Sequence, residues 1–162
     1  MNREVVLTYL EALIQATEKK GNIIVELTKI SKDQERVAQK VDFELDEFTR
    51  LLDEKEVWIQ ELETIDNGFG PTFDRIKDTL VSEKEQYKEK IVQLQTVIGE
   101  VTTKAVELQV LEKRNKLLVD RRIAEGKAKV KTATVSNKIA SSYYKNMANT
   151  HYNASYFMDQ KK

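Results

Sequence analysis

The chain has 162 residues, with 27 Lys and Arg balancing 27 Asp and Glu, one proline, five glycines, one histidine and no cysteine. Without a thiol, disulfides and thiolate metal sites are excluded. With one residue in three charged and only 7 % aromatic, a thick globular core is excluded as well, and the composition is that of long helices packed along narrow seams. The neutral total hides an asymmetry. Residues 1–126 carry 20 Lys and Arg against 26 Asp and Glu, a net of −6, whereas residues 127–162 carry seven Lys and one acid, Asp159, a net of +6. An acidic helical body (1–126) followed by a basic, partly disordered partner-binding tail (127–162) is the expected division, because tails of one sign are commonly interaction segments.

The first expected helix runs from about Arg3 to about Gln39. Val6, Leu10, Leu13, Ile24 and Leu27 fall at spacings of three, four or their sums, and Tyr9, Ala16, Ile23 and Ile30 widen that stripe. Gly21 lies inside it, at a cost of about 1 kcal/mol relative to alanine, and marks a candidate bend. A second helix is expected after Val41, with Asp42 as its N-cap and Glu44, Asp46 and Glu47 stabilising its first turn through the helix dipole. Leu45, Phe48, Leu52, Ile59 and Leu62 then repeat at heptad-like spacing, with Trp58 and Ile65 beside them. Asp66-Asn67-Gly68-Phe69-Gly70-Pro71 holds the strongest breaking signal in the chain, glycines followed by proline, and predicts a stop and restart there.

The third expected helix is the longest. Phe73, Leu80, Tyr87, Leu94, Val101 and Leu108 recur every seven residues, Ile76, Val97, Leu111 and Leu118 occupy companion positions, and Ile91, Ile98 and Ala105 broaden the face. Continuous to Ala124, it would span roughly 80 Å at 1.5 Å per residue. The seam weakens at Glu83, Lys90, Lys104 and Asn115, which reads as exposure or partner contact. Beyond Gly126 the residues turn to Lys, Thr, Ser, Asn and Tyr. Val135, Ile139, Tyr143 and Met147 are spaced by four, a short amphipathic pattern of low intrinsic helix stability. The fold class is therefore all-α: an elongated antiparallel hairpin or bundle of three long helices with a weakly helical C-terminal tail.

The usual catalytic apparatus is missing. The one histidine, His151, lies in the tail, no cysteine is present, and neither a phosphate-binding glycine loop nor a Glu-x-x-His motif occurs. The chain is read as a non-enzyme with no cofactor and no metal. Nothing near Met1 resembles a secretory signal, and no stretch approaches the roughly 18 apolar residues of a membrane span, so a cytoplasmic location is expected and the Asn153-Ala154-Ser155 sequon is discounted. Trp58 reads as core before partner anchor. The tail's Lys and Tyr residues are compatible with nucleic acid or an anionic membrane. However, the tail has no Arg, its lysines are too dispersed for a polybasic cluster, and the acidic body would repel a polyanion. A docking segment for an amphipathic helix of another protein explains both its apolar spacing and its charge.

Several stretches resemble the FlgN-type chaperones of flagellar export, in their clostridial form. These are Asp53-Glu54-Lys55 with Ile59-Gln60-Glu61-Leu62, Ile65-Asp66 leading to Phe69, Tyr87-Lys88 with Ile91 and Leu94-Gln95, and Glu112-Lys113-Arg114-Asn115 before the Lys-rich turn. The ending, Tyr143-Tyr144-Lys145 and then Phe157-Met158-Asp159-Gln160-Lys161-Lys162, is similar to that of the same group. The resemblance covers nearly the whole chain and extends in part to the sister FliT-type chaperones. It implies a cytoplasmic helical chaperone that holds hook–filament junction proteins of the FlgK and FlgL type by their helical terminal segments before type III export, with the export apparatus as a further partner. Carried onto this chain, the implied partner-binding residues are Leu118, Ile123, Val135, Ile139, Tyr143, Tyr144 and Met147. The competing reading is a structural coiled-coil protein with no client, self-associating along Phe73, Leu80, Tyr87 and Leu94. Oligomeric state is left open.

Overall fold

The structure is a computed structural model and describes residues 1–125. Three α-helices account for most of them: α1 (Arg3–Gln39), α2 (Leu45–Ser82) and α3 (Lys88–Ala124). At 37, 38 and 37 residues, each is about 55 Å long. The all-α class and the three long helices agree with the sequence pattern. Three of the six helix ends do not.

α1 begins and ends where its apolar stripe does. Asn2 caps it, its side chain accepting from the Glu4 amide at 2.8 Å. Gly21 does not interrupt the helix. It is buried, and a Cβ built there would lie 3.1 Å from Cγ2 of Val101, so its use is the close approach of α1 to α3.

α2 does not start from Asp42. Its N-cap is Glu44, which makes no side-chain capping bond, and residues 41–44 form the connection from α1. The start is fixed instead by a hydrophobic staple. Phe43, just before the cap, meets Phe48, four positions into the helix, at a ring separation of 5.9 Å, and both join the same core cluster. The contact of the partly buried Phe43 with Phe48 places the cap two residues beyond Asp42.

The larger correction concerns Pro71. α2 runs through Asp66–Pro71 without a break and reverses only at Glu83–Tyr87. Magnitudes explain this. An interior proline costs about 3 kcal/mol, but Pro71 and Gly68 lie on exposed positions. Phe73, Ile76 and Leu80, which stopping at 66–71 would detach from α2, are each at least 95 % buried, each worth about 1.5–3 kcal/mol. The reversal falls on Ser82-Glu83-Lys84-Glu85-Gln86, a run exposed throughout and offering no apolar face. Turn hydrogen bonds from the Gln86 amide to the Glu83 carbonyl (3.0 Å) and from the Tyr87 amide to the Lys84 carbonyl (3.3 Å) close it.

The 80 Å helix is therefore two pieces of different helices. The seven-residue series Phe73, Leu80, Tyr87, Leu94, Val101 and Leu108 is nevertheless buried at every position. Two members lie on α2, Tyr87 ends the turn, and three lie on α3. The turn happens to preserve the inward phase. Three helices of nearly equal length cover one another's apolar faces, which division at 66–71 into one short and one very long helix would not do.

α1 is antiparallel to α2, as Tyr9 with Arg75, Lys20 with Asp66 and Gln34 with Lys55 show. It is parallel to α3 at a nearly constant offset, shown by Glu11 with Lys90 and Glu35 with Arg114, both 79 residues apart, and by Ser31 with Glu112, 81 apart. α1 packs closely on both neighbours, whereas no Cα of α2 comes within 8 Å of one in α3. The core divides lengthwise into two apolar clusters. One gathers Val6, Leu10, Ile14, Phe73, Ile76, Tyr87 and Leu94, and the other Ile24, Leu27, Phe48, Leu52, Leu62 and Leu108. Thr17, Lys20 and Asp66 lie between them, with Lys20 and Asp66 paired at 2.6 Å.

Candidate functional site

Two of the residues proposed to bind a partner fall within the described part of the chain. Leu118 and Ile123 are half-buried on the last turns of α3 and pack against the larger cluster. They close the end of the bundle and present an edge rather than a free face. Val135, Ile139, Tyr143, Tyr144 and Met147 lie outside the described residues. Between Leu118 and the end of the helix, Arg122 ties α3 to the start of α2. Its Nη2 donates to the Val41 carbonyl at 3.1 Å, and its guanidinium sits 5.5 Å from the centre of the Phe43 ring, a distance at which the cation and the ring attract. The chain therefore leaves the body, after Glu125, beside the N-terminus of α2.

About two to three helical turns further into the bundle from Arg122 is a buried polar cluster that the apolar periodicity alone did not assign. Lys55 of α2 is 2 % exposed and forms an ion pair with Glu112 of α3 at 2.5 Å. Its Nζ also donates to Oε1 of Gln34 at 3.0 Å, and the Ser31 hydroxyl donates to the same Glu112 oxygen. Asn115 donates to the Ser31 carbonyl at 2.8 Å. Asn115 is thus an interior residue, not the exposed gap in the seam that the sequence suggested, and Lys90 is half-buried and paired with Glu11. Gln34 Nε2 and Asn115 Oδ1 have no hydrogen-bond partner among the described residues.

The electrostatics follow from burial. Desolvation holds the Lys55 ammonium below the ordinary lysine range, with Glu112 opposing, and Lys20 is lowered for the same reason with Asp66 opposing. The Glu11 carboxyl is lowered by its hydrogen bond to Lys90. Physically, the cluster fits the wider gap between α2 and α3, where a long lysine and a long glutamate reach each other and short apolar side chains would leave a void.

A sequence signal for this cluster did exist. Phe48, Leu52, Lys55, Ile59 and Leu62 alternate by four and three, which places Lys55 on the buried seam. Ile24, Leu27, Ser31, Gln34 and Ala38 do the same on α1, as do Val101, Ala105, Leu108, Glu112, Asn115 and Val119 on α3. All three seams turn polar at one level.

The outer surface carries a different feature. On α3, Val106, Val110 and Leu117 are 48 %, 58 % and 59 % exposed, at spacings of four and seven that align them on one face. Among the described residues no group of three or more His, Asp or Glu side chains is arranged to hold a metal ion, and no helix is long and apolar enough to cross a membrane. No protein-family model matches the chain, and no curated protein or solved structure shows significant similarity to it.

Proposed function

We propose that this protein is a cytoplasmic, non-enzymatic chaperone that binds hook–filament junction proteins of the FlgK and FlgL type through their helical terminal segments before type III export. The observation that carries the reading is the order and spacing of the resembling stretches along nearly the whole chain. Four of their polar positions, Lys55, Asp66, Glu112 and Asn115, are interior partners in this fold and not interchangeable surface residues. A body built for helix–helix packing, followed by a basic segment with apolar residues at helical spacing, suits the capture of an amphipathic client helix. Ordering such a segment on a client would consume about 2–5 kcal/mol of the gross interaction energy, which keeps binding reversible and permits handover to the export apparatus.

The alternative of a client-free, self-associating coiled coil draws on Phe73, Leu80, Tyr87 and Leu94. All four are covered within a single chain, at 5 % exposure or less. Any self-association has to use other surface, such as the Val106–Leu117 face of α3.

The test is capture of purified junction proteins from the same cell by the full-length chain and by the Ile139→Asp/Tyr143→Asp variant. Binding by the wild type alone, with helicity unchanged in the variant, supports the chaperone reading and its tail site. Equal capture by both moves the site into the helical body. Failure of the wild type to bind any junction protein removes the reading.

A further inference from the structure

We infer that the outer face of the first half of α2 is a docking surface for the chain's own residues 127–162, because a strongly acidic helix face adjoins the point where that basic segment leaves the body. From Asp42 to Glu61 seven carboxylates are exposed against one exposed cation, Arg50, which pairs with Glu54 at 3.1 Å. The other cation of this stretch, Lys55, faces inward and is committed to Glu112. On the outward side, Asp53, Glu54 and Glu61 surround Val57 at positions four before, three before and four after it, and Val57 is 62 % exposed. The centre of the acidic face is thus an apolar spot ringed by charge.

The occupant follows from where the chain goes next. Arg122, bonded to the Val41 carbonyl and with its guanidinium over the Phe43 ring, holds the end of α3 against the residues that lead into α2. Residues 127–162 start from there with seven Lys and one Asp. Lys127, Lys129 and Lys131 come first in sequence. Lys138 and Lys145 then bracket Ile139 and Tyr143 in sequence. In helical conformation Val135 to Met147 would span about 18 Å, and Asp46 to Glu61 spans about 22 Å. A segment running along α2 in its own direction brings lysines to the acidic ring and an apolar residue to Val57. The far end of α3, with Lys113, Arg114 and Arg121 exposed beside Leu117, offers the wrong charge. Charge rather than apolar area therefore selects α2 over α3.

This inference does not rest on the chaperone reading, and its test contains no client. The chain has no cysteine, so introduced pairs report without background. Full-length protein carrying Val57→Cys with Ile139→Cys is compared with Val110→Cys with Ile139→Cys, the two body sites being nearly equal in exposure. The pairs are oxidised in dilute solution at about 10 mM and about 1 M salt, where the Debye length is roughly 30 Å and 3 Å. Docking predicts that the Val57→Cys pair closes within one chain about five-fold faster or more at low salt, by raising local concentration. High salt should abolish that advantage. So should Asp53→Lys/Glu54→Lys/Glu61→Lys in the body or, independently, Lys138→Glu/Lys145→Glu in the segment. Equal rates for the two pairs, an advantage that survives both charge reversals, or disulfides formed mainly between chains would each overturn the inference.

Discussion

Removing one member of the Lys55–Glu112 pair should be far more damaging than removing both. Lys55→Met leaves the Glu112 carboxylate, 8 % exposed, with only the Ser31 hydroxyl, and takes from Gln34 its only hydrogen-bond partner within the cluster. Breaking a buried pair in this way costs about 3–5 kcal/mol, because an uncompensated charge stays inside. Glu112→Leu strands the ammonium at similar cost. In Lys55→Met/Glu112→Leu both charges are gone and two apolar chains of similar volume fill the gap between α2 and α3. Such a replacement is often neutral or stabilising by about 1–4 kcal/mol, offset here by about 1 kcal/mol each for the Ser31 and Gln34 groups left behind. The double variant should lie within about 2 kcal/mol of wild type, giving a coupling of about 4 kcal/mol or more. Urea unfolding measures it, followed by far-ultraviolet circular dichroism and by the fluorescence of Trp58, which lies on the core cluster three residues from Lys55. The comparison requires equal denaturant slopes. Single losses below about 1 kcal/mol, or additive effects of the two substitutions, would refute the buried pairing.

Pro71→Ala restores a missing helical hydrogen bond at an exposed position inside α2 and should stabilise the protein by about 1–3 kcal/mol in chemical denaturation, whereas destabilisation would mean that the helix is broken there. Gly99→Ala meets nothing within 4 Å and should gain about 0.5–1 kcal/mol, while Gly21→Ala crowds Val101 and should forfeit that gain. Urea midpoints that respond identically would argue against the close approach of α1 and α3. Burial lowers Lys20 and Lys55 below 10.5 in the folded chain. As pH rises toward 10.5, the unfolded chain therefore holds protons that the folded one has released, and stability from these groups rises. The rise, followed by urea midpoints, should vanish in Lys20→Met/Lys55→Met.

A surface lysine or glutamate is replaceable at a cost of tenths of a kcal/mol. Lys55 and Glu112 are not, because among the described residues each is the other's only ion-pair partner in the interior. These positions serve the architecture of the body.

The sequence by itself determined the helical class, the full extent of α1, the end of α3 and most of the apolar core, Ile14, Val37, Ala38, Leu51 and Val119 being the exceptions. Each of these depends on local periodicity, which a helix converts directly into a face. It did not determine where the second helix stops. Local propensity placed the break at Gly68–Pro71, and the burial of Phe73, Ile76 and Leu80 against α1 outweighed it. Nor did it show that the polar residues on three seams meet. Lys55, Gln34 and Glu112 are 21 to 78 residues apart along the chain and read singly as defects. Only the antiparallel register of α1 with α2 and the parallel register of α1 with α3 bring them to one level. There the separation of α2 from α3 leaves a space that long, paired, charged side chains fill.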